Sequence, residues 1–170
     1  MPAPDKSCGS CTLCCKLLAI AALEKPRDRW CDHCAPGRGC GIYETRPPEC
    51  AHFECGWKID DRLGPEWRPD RCKFLLAYDA KARRMVVHVD ANADTWRRDP
   101  FIGGLRNVAA DVAGSGGMVM VVQRNRTMVI QPDRDIDLGV IGPDDRIVTD
   151  ITRDESGREI RTPRVVSKGG

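Results

Sequence analysis

All ten cysteines of this 170-residue chain lie between Cys8 and Cys72, and none follows. A segment so dense in cysteine, proline, glycine and charge has few periodic apolar residues to bury. A unit of that size ordinarily needs disulfides or a metal to fold. The compartment decides between the two. The chain opens Met-Pro-Ala-Pro-Asp-Lys-Ser-Cys, without the apolar run of a secretory leader. Its longest apolar candidate, Leu17 to Leu23, falls far short of the roughly eighteen residues a membrane span needs. The expected compartment is therefore the cytoplasm, where disulfides do not persist and cysteine clusters bind metal or carry out redox work. A disulfide framework would also spread along the chain, whereas this skew predicts one local, metal-organised module.

Cys8, Cys11, Cys14 and Cys15 spell C-x2-C-x2-C-C, and Cys31 and Cys34 form a further C-x2-C. Two residues between cysteines let a tight turn aim both sulfurs at one ion. Nineteen residues separate Cys11 from Cys31, a spacing that fits four-cysteine zinc sites. Cys40, Cys50, Cys55 and Cys72 remain, with His52 inside Cys50-x-His52-x2-Cys55. Ten thiolates and an imidazole fill two tetrahedral sites and begin a third. Side chains of the adjacent Cys14 and Cys15 point in different directions, so they serve two nearby ions or bridge two metals. The expected ligands are thus all ten cysteines and His52, holding two to three zinc ions, with iron or an iron–sulfur cluster as the alternative. The Cys8-x2-Cys11-x2-Cys14 run is also half of a bacterial ferredoxin pattern, but Cys15 follows at once where three residues and Cys-Pro are required. Cys72 precedes the apolar run Phe74-Leu75-Leu76, so plain core is its competing role. His33 is expected to face solvent, and His88 to be an ordinary strand residue.

The organisation expected is α+β. Residues 1–72 form a cysteine-rich module of loops and one or two short helices, packed on a small, mostly antiparallel sheet with one helix at 73–170. In the module, Leu13, Leu17, Ile20 and Leu23 predict a helix from Thr12 to Glu24, ended by Pro26. Trp30 to Gly41 reads as loops and turns. Beyond Lys73, Phe74–Tyr78 and Met85–Val89 predict two strands around a charged turn, with Met85, Val87 and Val89 on one face. Asp99 is the expected N-cap of a helix with Pro100 at its first position. Phe101, Leu105, Val108, Ala109 and Val112 carry its apolar stripe, and Gly114, Gly116 and Gly117 end it. Met118–Val122 and Thr127–Gln131 predict a hairpin across Arg124-Asn125. Arg146–Thr152 and Glu159–Val166 predict two further strands around Ser156-Gly157. The last residues, Ser-Lys-Gly-Gly, are expected to fray.

The string Cys8-Gly-Ser-Cys11-Thr-Leu-Cys14-Cys15 resembles the motif of the CxxCxxCC cysteine-cluster family of bacteria (YkgJ-type), named for zinc or iron chelation. The resemblance continues in Gly39-Cys40-Gly-Ile-Tyr43-Glu44-Thr-Arg46-Pro47, in Cys50, and in Phe53-Glu-Cys55. It extends to Gly64-Pro-Glu-Trp67-Arg-Pro-Asp-Arg-Cys72 and to Trp96-Arg-Arg-Asp-Pro100-Phe101. It covers the first seventy or so residues well and the rest loosely. It implies metal binding by these cysteines and supplies no activity.

Charge and motifs narrow the function. Charged residues make up 31% of the chain, yet the net charge is only +2 and no basic stripe stands out, so nucleic acid is not an expected partner. No H-E-x-x-H, Walker loop or G-x-G-x-x-G at a strand-to-helix turn is present, and no catalytic residue is expected. The leading expectation is a metal-binding protein, with an unidentified protein partner. An iron–sulfur or redox-active enzyme, and metal storage or delivery, are the competing expectations. Arg46 is expected to pair with Glu44 or Glu49, and Trp96-Arg97-Arg98 to anchor an interface.

Overall fold

The computed structural model describes residues 6–167. The chain's first five residues, and the expected fraying beyond Ser167, lie outside them. The elements before residue 73 are short. They are α1 (Cys14–Leu17), a two-stranded ribbon of β1 (Cys34–Ala35) and β2 (Gly39–Cys40), α2 (Pro48–His52), α3 (Gly56–Ile59) and α4 (Pro69–Cys72). After it come β3 (Phe74–Asp79), β4 (Arg84–Val89), the long helix α5 (Phe101–Ala113), and β5 (Met118–Gln123). Then β6 (Arg126–Ile130), β7 (Asp135–Val140), β8 (Asp145–Arg153) and β9 (Glu159–Ser167) complete the chain. The fold is α+β.

Five strands form one mixed sheet in the order β3-β4-β5-β6-β7. Three of its junctions are antiparallel and the β4–β5 junction is parallel. A parallel pair needs a crossover, and α5 supplies it. Met85, Val87, Val89, Val119, Val121 and Ile130 point to the face that α5 covers with Leu105 and Ala109, and all eight are almost fully buried. The alternation is the one period two predicts. Phe74 is fully buried and meets Trp67 and Phe101 edge-on, at centroid distances of 5.8 and 5.2 Å. β8 and β9 form a separate hairpin. It is tied back where Gln131 Nε2 donates to the Arg161 carbonyl at 2.7 Å.

The edge strand β3 is wrapped on both faces by the chain that precedes it. Leu13 and Leu17 pack on Leu75, while Trp57 and Trp67 join Phe74 and Leu76 on the other side. Two glycines make the wrapping possible. A Cβ on Gly56 would lie 2.6 Å from the Leu76 Cβ, and one on Gly104 would lie 2.7 Å from the Trp67 ring.

Three expectations need correction. The helix from Thr12 to Glu24 is broken: α1 stops at Leu17, Leu18 turns extended at ψ 143°, and only a single tight turn follows at Ala21–Leu23. The cause is Lys25, 7% exposed, whose ammonium donates to the carbonyls of Lys16 (3.1 Å), Leu18 and Pro26 (3.0 Å). A helix running through Glu24 would hold the Lys16 and Leu18 carbonyls internally. At α5, Pro100 takes the cap position rather than Asp99, after a cis Asp99–Pro100 bond. Finally, β7 falls in Asp135–Val140, where no strand was expected. Its two aspartates and Gly139 disguise an edge strand.

Candidate metal centre

The first C-x2-C is a tight turn. Gly9 takes φ 49°, and the Cys11 amide donates to the Cys8 carbonyl at 2.8 Å. Arg68 Nη2 donates to the same carbonyl at 2.8 Å, clamping the turn to the chain just before α4. The second C-x2-C is also a turn, with the Cys34 amide on the Cys31 carbonyl at 3.0 Å. The Cys31 amide donates to the Cys15 carbonyl at 3.0 Å, which brings Cys31 back beside α1. Cys34 then faces Cys40 directly across the ribbon. Thr12 Oγ1 accepts the Gly37 amide at 3.1 Å and fixes the ribbon against the start of α1.

Electrostatic proximity places the thiols in two adjoining neighbourhoods, neither of which gathers three donors around one point among the described residues. Cys55 lies within electrostatic reach of Cys11 and Cys8, and Cys72 within reach of Cys55 and Cys11. Cys15 lies against Cys14 and Cys34, while Cys50 feels Cys15, Cys31 and Cys40. The first set is therefore Cys8, Cys11, Cys55 and Cys72. The second is Cys14, Cys15, Cys31, Cys34, Cys40 and Cys50. The two C-x2-C turns, matched by spacing to a single site, have different nearest thiol neighbours. The Lys25 turn brings Cys31 back to α1, and Arg68 holds the Cys8 turn beside α4. His52 is exposed at the end of α2, as His33 is in its turn. Arg46 stacks on the Tyr43 ring at 3.8 Å instead of pairing with Glu44 or Glu49.

All ten cysteines are free thiols; Cys8 is exposed, Cys72 buried and the rest between. Among the described residues, no three His, Cys, Asp or Glu side chains are gathered closely enough to hold an ion. Burial pushes the Cys11, Cys50 and Cys55 thiols up. It pushes Cys34 to about 11, with Cys15 adding to the effect. Cys72, whose thiol donates to the Phe74 carbonyl at 3.2 Å, is pushed to about 12. The Cys14 thiol, and then burial, drive Cys15 up further. Each of these six groups is the opposite of an activated nucleophile, whose pKa must fall. They suit ligands that stay neutral until a cation displaces their protons. Backbone amides favouring a thiolate lie beside Cys11 (Leu13 and Asp70) and beside Cys55 (Trp57 and Lys58). That arrangement suits a thiolate bound to metal.

Lys25 went unrecognised from sequence. Burial lowers the pKa of its ammonium, and the nearby Cys31, Cys15 and Cys14 oppose that shift, which places it beside the second set. A lone lysine before Pro26 gives no sequence signal; burial with three carbonyl partners identifies it. Trp96 is not an interface anchor. It is fully buried in the sheet core, with Arg97 lying over its ring at 4.2 Å.

No family model matches the chain, and neither a curated protein nor a solved structure shows a match to it. No helix among the described residues is long and apolar enough to cross a membrane.

Proposed function

We propose that the chain is a metal-binding protein of the CxxCxxCC cysteine-cluster type, holding zinc through two thiolate sites. Cys8, Cys11, Cys55 and Cys72 supply one tetrahedral ion. Cys14, Cys15, Cys31, Cys34, Cys40 and Cys50 supply a paired site, since six thiolates with bridging saturate two ions. What supports this reading is ten free thiols carried on short turns, with Cys55 and Cys72 near Cys8 and Cys11, and Cys15, Cys31, Cys34, Cys40 and Cys50 near one another beside Lys25. The total is three ions, within the two to three expected from cysteine number alone. His52 stands outside both sets. A tetrathiolate site bears excess negative charge, and Lys25 offsets part of it at the second set. Saturated thiolate sites leave no position for water or substrate, so the metal's role is structural. The reading places the protein in a reducing cytoplasm. It takes residues 1–72 as the metal module and 73–170 as the supporting unit, with a protein partner still to be found.

Elemental analysis of anaerobically purified, untagged protein, with a visible spectrum and a thiol titration, tests the proposal. About three zinc ions per chain, no colour and ten protected thiols are expected. Ten freely reacting thiols and no bound metal would overturn it. Iron with acid-labile sulfide and a charge-transfer band would transfer the same cysteines to an iron–sulfur function. Loss of zinc to a weak chelator, without unfolding, would favour storage or delivery.

A further inference from the structure

The sheet has a second face, and it is occupied differently from the one under α5. At the β3 end, α1 covers Leu75. Further across lies an open groove of about 630 Å³ whose apolar lining includes Met120 and Val122 of β5 and Ile147 of β8. Volumes of a few hundred Å³ are those of small-molecule sites. Arg27, Arg84, Arg124 and Arg146 all line it, and Asp145 is its one carboxylate. That carboxylate is engaged with the Gly142 amide at 2.8 Å. Four arginines thus line a groove whose one lining carboxylate is already in use; Asp28, outside the lining, lies beside Arg27.

Elsewhere on the surface, arginines such as Arg126, Arg158 and Arg164 sit on aspartates at 2.6, 3.0 and 2.6 Å. Among the described residues, none of the four groove arginines has a carboxylate within salt-bridge distance. Two are positioned by the protein. Arg27 Nη2 donates to His88 Nδ1 at 3.2 Å, and Arg124 Nε donates to the Ala91 carbonyl at 3.1 Å. The Arg27 Nε is buried and has no hydrogen-bond partner. A buried, unpaired guanidinium N–H is costly unless an anion meets it. Guanidinium forks match phosphate geometry bidentately.

We propose that this groove binds a phosphate-bearing small molecule with an apolar body, the chemistry that nucleotides represent. The phosphate sits among Arg27, Arg84 and Arg146, and the body lies on Met120 and Val122. A polyanion is disfavoured by the near-neutral net charge of +2. The proposal does not rest on the metal reading.

Isothermal titration of the protein as purified, without added magnesium, tests it with ADP, adenosine, inorganic phosphate and a ten-nucleotide single strand. Saturable one-site binding of ADP is expected, at least tenfold tighter than adenosine or inorganic phosphate. The double variant Arg84→Gln/Arg146→Gln should weaken ADP at least tenfold while its circular dichroism and melting temperature stay unchanged. Arg124→Gln, at the rim, provides a second variant, expected to weaken ADP about threefold. The proposal is overturned if ADP shows no saturable binding, or if adenosine binds as well. It is equally overturned if the folded double variant binds like the parent, or if only the single strand binds.

Discussion

Residues 6–72 and 73–167 are built on different physics. The first stretch has no helix longer than five residues and a ribbon of two-residue strands. The second has a thirteen-residue helix and strands of five to nine residues. Of the twenty buried apolar side chains, only Leu13, Leu17, Ile20, Trp57, Trp67 and Cys72 come from the first stretch. Five of those six pack on β3 or on the core it borders. The sheet therefore carries its own hydrophobic core. The cysteine-rich stretch borrows from that core at its two ends, and its middle, roughly residues 26–52, must be held by something other than burial. Thiol-bound metal is the candidate.

Metal removal should break this comparison most visibly. Structural zinc contributes on the order of 10 kcal/mol to small thiolate modules. Stripping it should abolish hydrogen-exchange protection between Cys31 and Cys50 while β4, β5 and β6 keep theirs. Uniform loss across the chain would show that the two regions are one cooperative unit. Cys34→Ser should act like partial stripping. Cys11→Ser should also loosen β3, because its set includes Cys72 at the margin of the sheet core.

The converse perturbation is Phe74→Ala, which empties the junction between Trp67 and Phe101 and should cost about 3–5 kcal/mol. Urea unfolding followed by tryptophan fluorescence measures it. A cost below about 1 kcal/mol would mean the borrowed core is not where the regions are joined.

A titration sharpens the picture where the regions touch. His88 is a strand residue, as expected, but Arg27 from the cysteine-rich stretch caps its ring. Burial, and then the Arg27 charge, hold its pKa down at about 4. Asp28, Asp90 and Lys16 are the other charges of this corner; Lys16 pairs with Asp90, and Asp28 lies beside Arg27. A histidine depressed in the folded state binds its proton more readily when unfolded. Its contribution to stability is therefore complete above about pH 6.5 and is lost as pH falls toward 4. The expected loss is about 2–3 kcal/mol across that window, and His88→Gln should flatten the slope. An unchanged slope would remove His88 from the account.

The smallest effect is expected at Gly104→Ala. A methyl group there meets the Trp67 ring and should cost about 1–3 kcal/mol by forcing α5 and Trp67 apart. A neutral result would show that the Trp67 contact is soft.

Much of the sheet could be read in the chain. Alternation in Phe74–Val89 and Met118–Ile130 placed two hairpins, and the stripe through Leu105 and Ala109 placed α5, because side-chain period follows directly from backbone geometry. β7 escaped because an edge strand tolerates Asp135, Asp137 and Gly139, which remove the alternation signal. The helix expected through Glu24 failed because its apolar spacing was real while its continuation was not: Leu18 turns out and Lys25 takes the carbonyls.

The site divides along the same line. Residue order alone places the cysteines at one end of the chain, in turns able to aim pairs of sulfurs, since C-x2-C geometry is local. It also determined that the sheet would carry the core. Tertiary packing alone brings Cys8 and Cys11 near Cys55 and Cys72, and Cys31 and Cys34 near Cys15, Cys40 and Cys50. It alone also buried Lys25 beside that second set and gathered four arginines over Met120 and Val122. Those groupings depend on where loops return across tens of residues. Loop return is set by packing against β3 and by the Arg68 and Lys25 hydrogen bonds, neither of which leaves a period or a spacing in the sequence.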